Sequence, residues 1–193
     1  MKALQTSFGA STERPSARPE PRREGEKNQE GAEPEDHALG RSRGGWGSKI
    51  HILCDADGNP LHFQVSAGQA HDSSMFDEVM LGADAELYDE FGVVKAWPVS
   101  LGADKGYRAN WIDQYLLDLG IRPVIPSREK EDPSKRLVAF DKPAYRRRSI
   151  VECLIGWLKE SRRIATRFEK TAINFSGMVK LAFIHRYLRV LGS

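Results

Sequence analysis

Residues 97–127 have the sequence WPVSLGADKGYRANWIDQYLLDLGIRPVIPS, which predicts a strand, a helix and a second strand in succession. The apolar run that opens this segment is typical of a buried strand, and it ends on Asp104. The amphipathic middle part ends on Gly120, a residue that favours helix termination. The last part contains Pro123 and Pro126, which cannot donate to a strand ladder and so predict an edge strand. This unit indicates an α/β fold.

Upstream of this unit, two apolar runs flank a turn sequence. Residues 49–55 (KIHILCD) and 61–66 (LHFQVS) are rich in β-branched and aromatic side chains, and residues 57–60 (DGNP) lie between them. Two strand-like runs joined by a short glycine-containing turn predict a β-hairpin.

Helices are predicted on both sides of these strands. Residues 72–80 predict a short helix capped by Asp72 or Ser73, and two longer helices are expected at roughly 144–165 and 175–190. The expected fold class is therefore α/β, with a mixed sheet and flanking helices.

The helix predicted over residues 144–165 has two chemically different faces. At about 100° per residue, a strip about 60° wide contains Tyr145, Arg148, Glu152, Lys159 and Arg163. The opposite face, which would pack on the sheet, is apolar and consists of Ile150, Val151, Leu154, Trp157, Leu158 and Ile164. We interpret the strip as a site for an anionic ligand beside a metal-holding carboxylate. The alternative is simple ion pairing between Arg148 and Glu152, worth about 0.2–0.5 kcal/mol.

Asp104 is the expected partner of Glu152. Sites in open α/β sheets form at the carboxyl ends of strands, where this aspartate is predicted to lie. The alternative role is a cap for the helix that begins near Arg108.

Charge is distributed unevenly along the chain of 193 residues. From Lys142 to Ser193 there are 12 Lys and Arg against 3 Glu, whereas the formal net charge of the whole chain is only +2. A basic end on an acidic body indicates a polyanionic partner such as nucleic acid, with a solvated helical surface as the alternative.

The composition excludes several protein classes. A mean hydropathy of -0.51 and the lack of an apolar stretch of roughly 18 residues argue against a membrane span. Cys54 and Cys153 have no CxxC spacing, so neither a disulfide framework nor a zinc knuckle is supported. We expect a soluble, cytosolic protein.

The N-terminal segment is predicted to be disordered. Residues 11–36 contain none of the larger apolar side chains, and 13 of these 26 residues are charged. Such a segment cannot bury enough apolar area to offset the entropy of ordering. We therefore divide the chain into a tail, residues 1–40, and a folded domain, residues 41–193.

Two separated motifs resemble those of DDE transposases from bacterial insertion sequences, and the group named after insertion sequence five looks closest. Asp104 opens the sequence DKGY, and Tyr145, Arg148, Glu152 and Lys159 fit the spacing Y-x2-R-x3-E-x6-K. The segments GRSRGGWGSKIH and DGNPLHFQVSAGQAHD are also similar to that group. The resemblance covers about residues 34–191.

This resemblance implies an RNase H-like fold and metal-dependent DNA cleavage and strand transfer. Asp104 and Glu152 would be catalytic and would bind Mg²⁺ or Mn²⁺, in a centre where three carboxylates hold two ions. The DNA-binding residues would be Tyr145, Arg148, Lys159 and Arg163. Implied partners are double-stranded DNA, as insertion-sequence ends and target, and a second copy of the chain, with no membrane.

The sequence departs from the family pattern at its start. The family's first aspartate lies on a central first strand upstream of GRSRGG, and no such acid-bearing strand is recognisable here. We therefore expect a partial domain without the central first strand, from a truncated or inactive copy. The alternative function is a non-catalytic DNA-binding remnant that interferes with full-length transposase, and a third is another RNase H-like nuclease.

Overall fold

The computed structural model describes residues 37–42, 45–86 and 97–192, together with the backbone of residues 3–8. The strands are β1 (Ala3–Phe8), β2 (Gly40–Ser42), β3 (Gly45–Asp55), β4 (Pro60–Ala67), β5 (Ser100–Gly102) and β6 (Arg122–Val124). The α-helices are α1 (Phe76–Glu86), α2 (Asn110–Asp118), α3 (Lys142–Arg146), α4 (Ser149–Glu160), α5 (Arg162–Ala165) and α6 (Ala172–Leu191). Three short 3₁₀ turns lie at Asp72–Met75, Lys105–Tyr107 and Pro133–Lys135.

The strands form one mixed sheet. The main order is β4-β3-β1-β5-β6, in which β3 runs antiparallel to both neighbours and β1, β5 and β6 are mutually parallel. The short strand β2 pairs with the first residues of β3. The predicted hairpin is β3–β4, and the predicted edge strand is β6. The expected α/β class, with a mixed sheet and flanking helices, is confirmed.

The central position of the sheet is occupied, which corrects one expectation. We predict from sequence that the central first strand is missing, yet β1 lies between β3 and β5. Its backbone pairs with β3 from Ala3 opposite Asp55 to Phe8 opposite Ile50. Six residues with no marked periodicity are too short a signal for sequence patterns to identify. The strand contains no Asp or Glu.

Helices cover both faces of the sheet because side chains alternate along β3. Ile50, Ile52 and Cys54 join a core cluster with residues of α4 and α6, such as Leu154 and Phe175. On the other face, Leu53 packs in a second cluster with Leu101 of β5 and residues of α1 and α2. The result is a layered arrangement in which α4 lies against the sheet by its apolar side.

The helix predicted over residues 144–165 is divided into α3, α4 and α5. A tight turn, in which the amide of Arg148 donates to the carbonyl of Tyr145 at 2.9 Å, separates the first two. Ser161, with φ −75° and ψ 106°, is extended and separates α4 from α5. The predicted apolar face is nevertheless buried at Val151 and Leu154.

The short helix predicted over residues 72–80 begins as the 3₁₀ turn Asp72–Met75 and continues as α1. Its N-cap is His71, without a capping side-chain hydrogen bond, so the prediction of an Asp72 or Ser73 cap is wrong. Asp72 is instead paired with Lys49. None of the helices in the described ranges has the length and apolar character that a bilayer crossing requires.

Candidate functional site

Asp104 lies two residues beyond the end of β5, in a turn that holds its carboxylate at the surface. The amide of Gly106 donates to Asp104 Oδ1 at 3.4 Å, and the amide of Tyr107 donates to the Asp104 carbonyl at 3.0 Å. The side chain of Asp104 remains 41% exposed. Asp104 therefore caps the 3₁₀ turn Lys105–Tyr107, and capping leaves its second carboxylate oxygen available to other groups. We call this segment, residues 104–107, the Asp104 turn.

A buried polar chain anchors the Asp104 turn to the hairpin. The hydroxyl of Tyr107 lies 2.8 Å from His51 Nδ1, and His51 Nε2 lies 2.8 Å from Ser66 Oγ. Tyr107 and His51 are both fully buried. Burial lowers the pKa of His51 to about 4, although Asp72 raises it and Lys49 lowers it further. The imidazole is therefore neutral near pH 7, with one nitrogen as donor and the other as acceptor.

The Asp104 turn also packs closely on the turn before α1. A Cβ atom added at Gly106 would lie 2.1 Å from Asp72 Oδ2, so any larger residue here would force the Asp72 side chain to move. Asp72 in turn pairs with Lys49 Nζ at 3.1 Å. Two turns distant in sequence are thus fixed against each other.

Arg148 brings the second predicted acid to the same place. It precedes the first residue of α4, and its Nη2 contacts Glu152 Oε1 one helical turn away. Its Nη1 lies 3.8 Å from Asp104 Oδ2. One guanidinium therefore bridges the two carboxylates that the sequence predicts to act together.

Tyr145 completes this group from α3. Its ring centroid lies 5.2 Å from the Arg148 guanidinium carbon. Burial raises the pKa of the Tyr145 phenol. The carboxylates of Asp104 and Glu152 raise this pKa further, and the Arg148 guanidinium lowers it in part. The phenol is thus a neutral hydrogen-bond donor near pH 7. We call Asp104, Tyr145, Arg148 and Glu152 the acidic site.

Lys159 and Arg163, the other two predicted DNA-binding residues, lie outside the acidic site. Lys159 is exposed on α4, seven residues after Glu152 and so about 10 Å further along the helix. Arg163 lies on α5, where its Nη2 is 2.7 Å from Glu169. The prediction that Arg163 shares the strip of Glu152 assumes one continuous helix, and the extended residue Ser161 removes that basis.

The acidic site does not fit the two-ion centre that the resemblance implies. Asp104 and Glu152 offer oxygen ligands of the kind that Mg²⁺ prefers. However, such a centre uses a third carboxylate. Across residues 37–42, 45–86 and 97–192 no group of three or more His, Cys, Asp or Glu side chains is arranged to hold a metal ion. The strand between β3 and β5 supplies no acid from its sequence ALQTSF.

Sequence reasoning missed the residues that support the Asp104 turn. His51 and Ser66 lie within predicted strands, where an isolated polar residue in an apolar run was the available signal. The contact of His51 with Tyr107 joins positions 56 residues apart, and no local pattern encodes such a pairing.

Known proteins place the chain in a family. Residues 16–185 match the sequence profile described as "Transposase DDE domain". This match begins upstream of residue 34, where the sequence resemblance begins. It therefore includes much of the segment predicted to be a tail.

Two relatives come from bacterial insertion sequences. The Burkholderia cepacia protein named "Putative transposase for insertion sequence element IS402" is 30% identical over 135 residues, which are 70% of this chain and 60% of that protein. The Brucella ovis protein named "Putative transposase for insertion sequence element IS6501" is 27% identical over 143 residues, which are 74% of this chain and 98% of that protein.

A solved structure shows a weaker likeness. The crystal structure of the Mos1 strand transfer complex covers 93% of this chain and 51% of its own chain, with 12% identity and a TM-score of 0.40. This chain thus spans about 60% of the IS402 relative and about half of the Mos1 chain. Because the profile match extends over most of its length, the protein belongs to the DDE transposase family.

Proposed function

We propose that this chain is a DDE transposase domain of the group named after insertion sequence five, that it binds DNA across the acidic site and α4, and that it does not cleave or join DNA by itself. The observation that carries this proposal is the bridging of Asp104 and Glu152 by Arg148. This arrangement brings two of the predicted acids together, and among the described residues no third metal-ligating side chain joins them.

DNA binding is supported by the charge and placement of side chains around the acidic site. The segment from Lys142 to Ser193 carries 12 Lys and Arg against 3 Glu, and it contains α3 to α6. Arg148 and Lys159 would contact phosphates, with the neutral Tyr145 phenol as a further donor. Contacts of this kind position a duplex without reading its sequence.

The lack of chemistry follows from electrostatics at the acidic site. Two carboxylates and one guanidinium leave a net negative charge, so a bound duplex would contact Arg148 and Lys159 and would not place a phosphodiester on the two acids. In two-ion active sites, bound divalent ions reverse this charge and stabilise the attacking and leaving oxygens. With no third metal-ligating side chain beside them among the described residues, Asp104 and Glu152 would instead serve as partners that hold Arg148 in place.

A cleavage assay tests this proposal directly. The purified full chain would be incubated with a labelled duplex that carries insertion-sequence terminal repeats, in Mg²⁺ and separately in Mn²⁺. We expect no nicks and no joined products, and the same result for Asp104→Asn. Cleavage that requires the divalent ion and disappears in Asp104→Asn would show that the acidic site is catalytically complete.

DNA binding is tested separately by fluorescence anisotropy over a salt series. We expect the affinity of wild-type protein for a 30-bp duplex to fall steeply with salt, and the Arg148→Gln/Lys159→Gln variant to lose about two phosphate contacts, which lowers the salt slope by about 2. Salt-independent binding, or no binding, contradicts this part of the proposal.

A second candidate function is interference with a full-length transposase. It is favoured by a basic C-terminal segment combined with an acidic site that, within the described part of the chain, has no third metal-ligating side chain. Co-expression with an active relative should then lower the frequency of transposition. The matched control is the Arg148→Gln/Lys159→Gln variant, which should interfere less, and equal frequencies with and without the chain would exclude this function.

A further inference from the structure

A cleft of about 300 Å³ opens beside the Asp104 turn and has no role in the function proposed above. Its described lining comes from β3, the turn before α1, the Asp104 turn and the segment after β6. The lining residues that matter here are Lys49, Asp72, Lys105, Gly106 and Arg128. The cleft and the acidic site therefore share one turn of the backbone.

Specific contacts hold the side chains in the walls of the cleft. Lys49 Nζ donates to the carbonyl of Ala70 at 2.7 Å and pairs with Asp72 at 3.1 Å, so its ammonium is held at the cleft. Gly106 packs against the Asp72 carboxylate at a distance that a Cβ atom would prevent. A preorganised wall lowers the entropic cost of holding a ligand.

The charge of the cleft suits an anion. Within the described lining, three cationic side chains, Lys49, Lys105 and Arg128, face one acid, Asp72. Lys105 is 52% exposed, and its contact is with Glu129 Oε1 at 3.5 Å, where Glu129 is 88% exposed. Exposed pairs of this kind are weak, so a phosphate can replace Glu129 at little cost.

We infer that this cleft binds a phosphodiester group of the same DNA strand that approaches the acidic site. The inference rests on the proposed function, since it requires DNA on this face of the molecule. Lys105 lines the cleft and directly follows Asp104, whose carboxylate lies 3.8 Å from Arg148, so the cleft and the acidic site are joined by one short turn. The cleft thus adds phosphate contacts on the side of Asp104 formed by β3 and β6.

The test compares two charge-matched double variants. Lys105→Gln/Arg128→Gln removes two cations from the cleft, whereas Lys130→Gln/Lys135→Gln removes two exposed cations from the same segment outside it. Binding of a 30-bp duplex would be followed by anisotropy from 50 to 200 mM salt. We expect the cleft variant to lower the salt slope by about 2 and the control variant to leave it unchanged.

The outcomes separate this inference from the proposed function. If Arg148→Gln/Lys159→Gln lowers the slope and the cleft variant does not, the inference is wrong and the proposed function stands. If both charge-matched variants lower it equally, the effect is that of a general basic surface and the inference is also wrong. If wild-type protein does not bind DNA, both the proposed function and the inference fail.

A second measurement distinguishes DNA from a free anion as the source of the phosphate. The amide of Ala70, a residue that lines the cleft and whose carbonyl accepts from Lys49, reports on the cleft in a ¹⁵N-labelled sample. We expect the duplex to shift its resonance at micromolar concentration and inorganic phosphate to do so only at far higher concentration. A saturable shift with inorganic phosphate, and none with the duplex, would identify a free-anion site and overturn the inference. This readout on wild-type protein holds even if a variant folds poorly.

Discussion

Acidification should destabilise this protein through one buried side chain, His51. The pKa of its imidazole is about 4 in the folded protein, against 6.5 for the ordinary side chain, because burial penalises the charged form. Between these values the unfolded chain binds the proton and the folded chain does not, so stability falls as the pH drops from about 6.5. The full effect, about 3 kcal/mol, is reached below pH 4, and about 2 kcal/mol is lost between pH 7 and pH 4.5.

Urea unfolding followed by tryptophan fluorescence measures this loss. At a slope of about 1–3 kcal/mol per molar urea, the midpoint should fall by about 1 M between pH 7 and pH 4.5. Carboxylates titrate in the same range, so the contribution of His51 is the difference between wild type and His51→Gln, which keeps a donor and an acceptor for Tyr107 and Ser66. Equal pH dependence in the two proteins, or titration of His51 above pH 6 by NMR, would refute the reasoning.

Three further substitutions test the packing that positions the site, each by urea unfolding. Gly106→Ala should cost about 1–3 kcal/mol, because its methyl group would overlap the Asp72 carboxylate; an unchanged midpoint would show that the two turns are not in contact. Asp113→Ala should cost about 2–3 kcal/mol, because it removes the carboxylate 2.9 Å from the buried guanidinium of Arg108, which keeps Glu131 as a partner; a loss below 1 kcal/mol would show that the pair is hydrated. Leu154→Ala should cost about 3–5 kcal/mol, because this side chain is 1% exposed between α4 and the sheet; a surface-like value below 1 kcal/mol would mean that α4 does not pack there.

Arg148 has a structural consequence beyond its own contacts. It holds the acid that follows a strand and the acid on a helix at one point, although 48 residues separate them. Because Arg148 lies between two carboxylates, a phosphate that binds its guanidinium must compete with both Asp104 and Glu152.

Local patterns predicted the elements well where one face of an element is buried. The apolar, β-branched run of residues 49–55 identified β3, and the apolar face of α4 at Val151 and Leu154 was correctly assigned. The length of the helix predicted over residues 144–165 was wrong, because the break at Ser161 depends on how the chain turns to bring α5 and α6 onto the sheet.

The sequence alone determined the fold class, the family motifs and the candidate acids, since periodicity and residue spacing are properties of single elements and are set by backbone geometry. Only the tertiary structure decided that β1 lies at the centre of the sheet, that Arg148 joins Asp104 to Glu152, and that His51 anchors the Asp104 turn. These contacts join segments far apart in the chain. They form only when the sheet and its helices pack together, and no local sequence pattern predicts that packing.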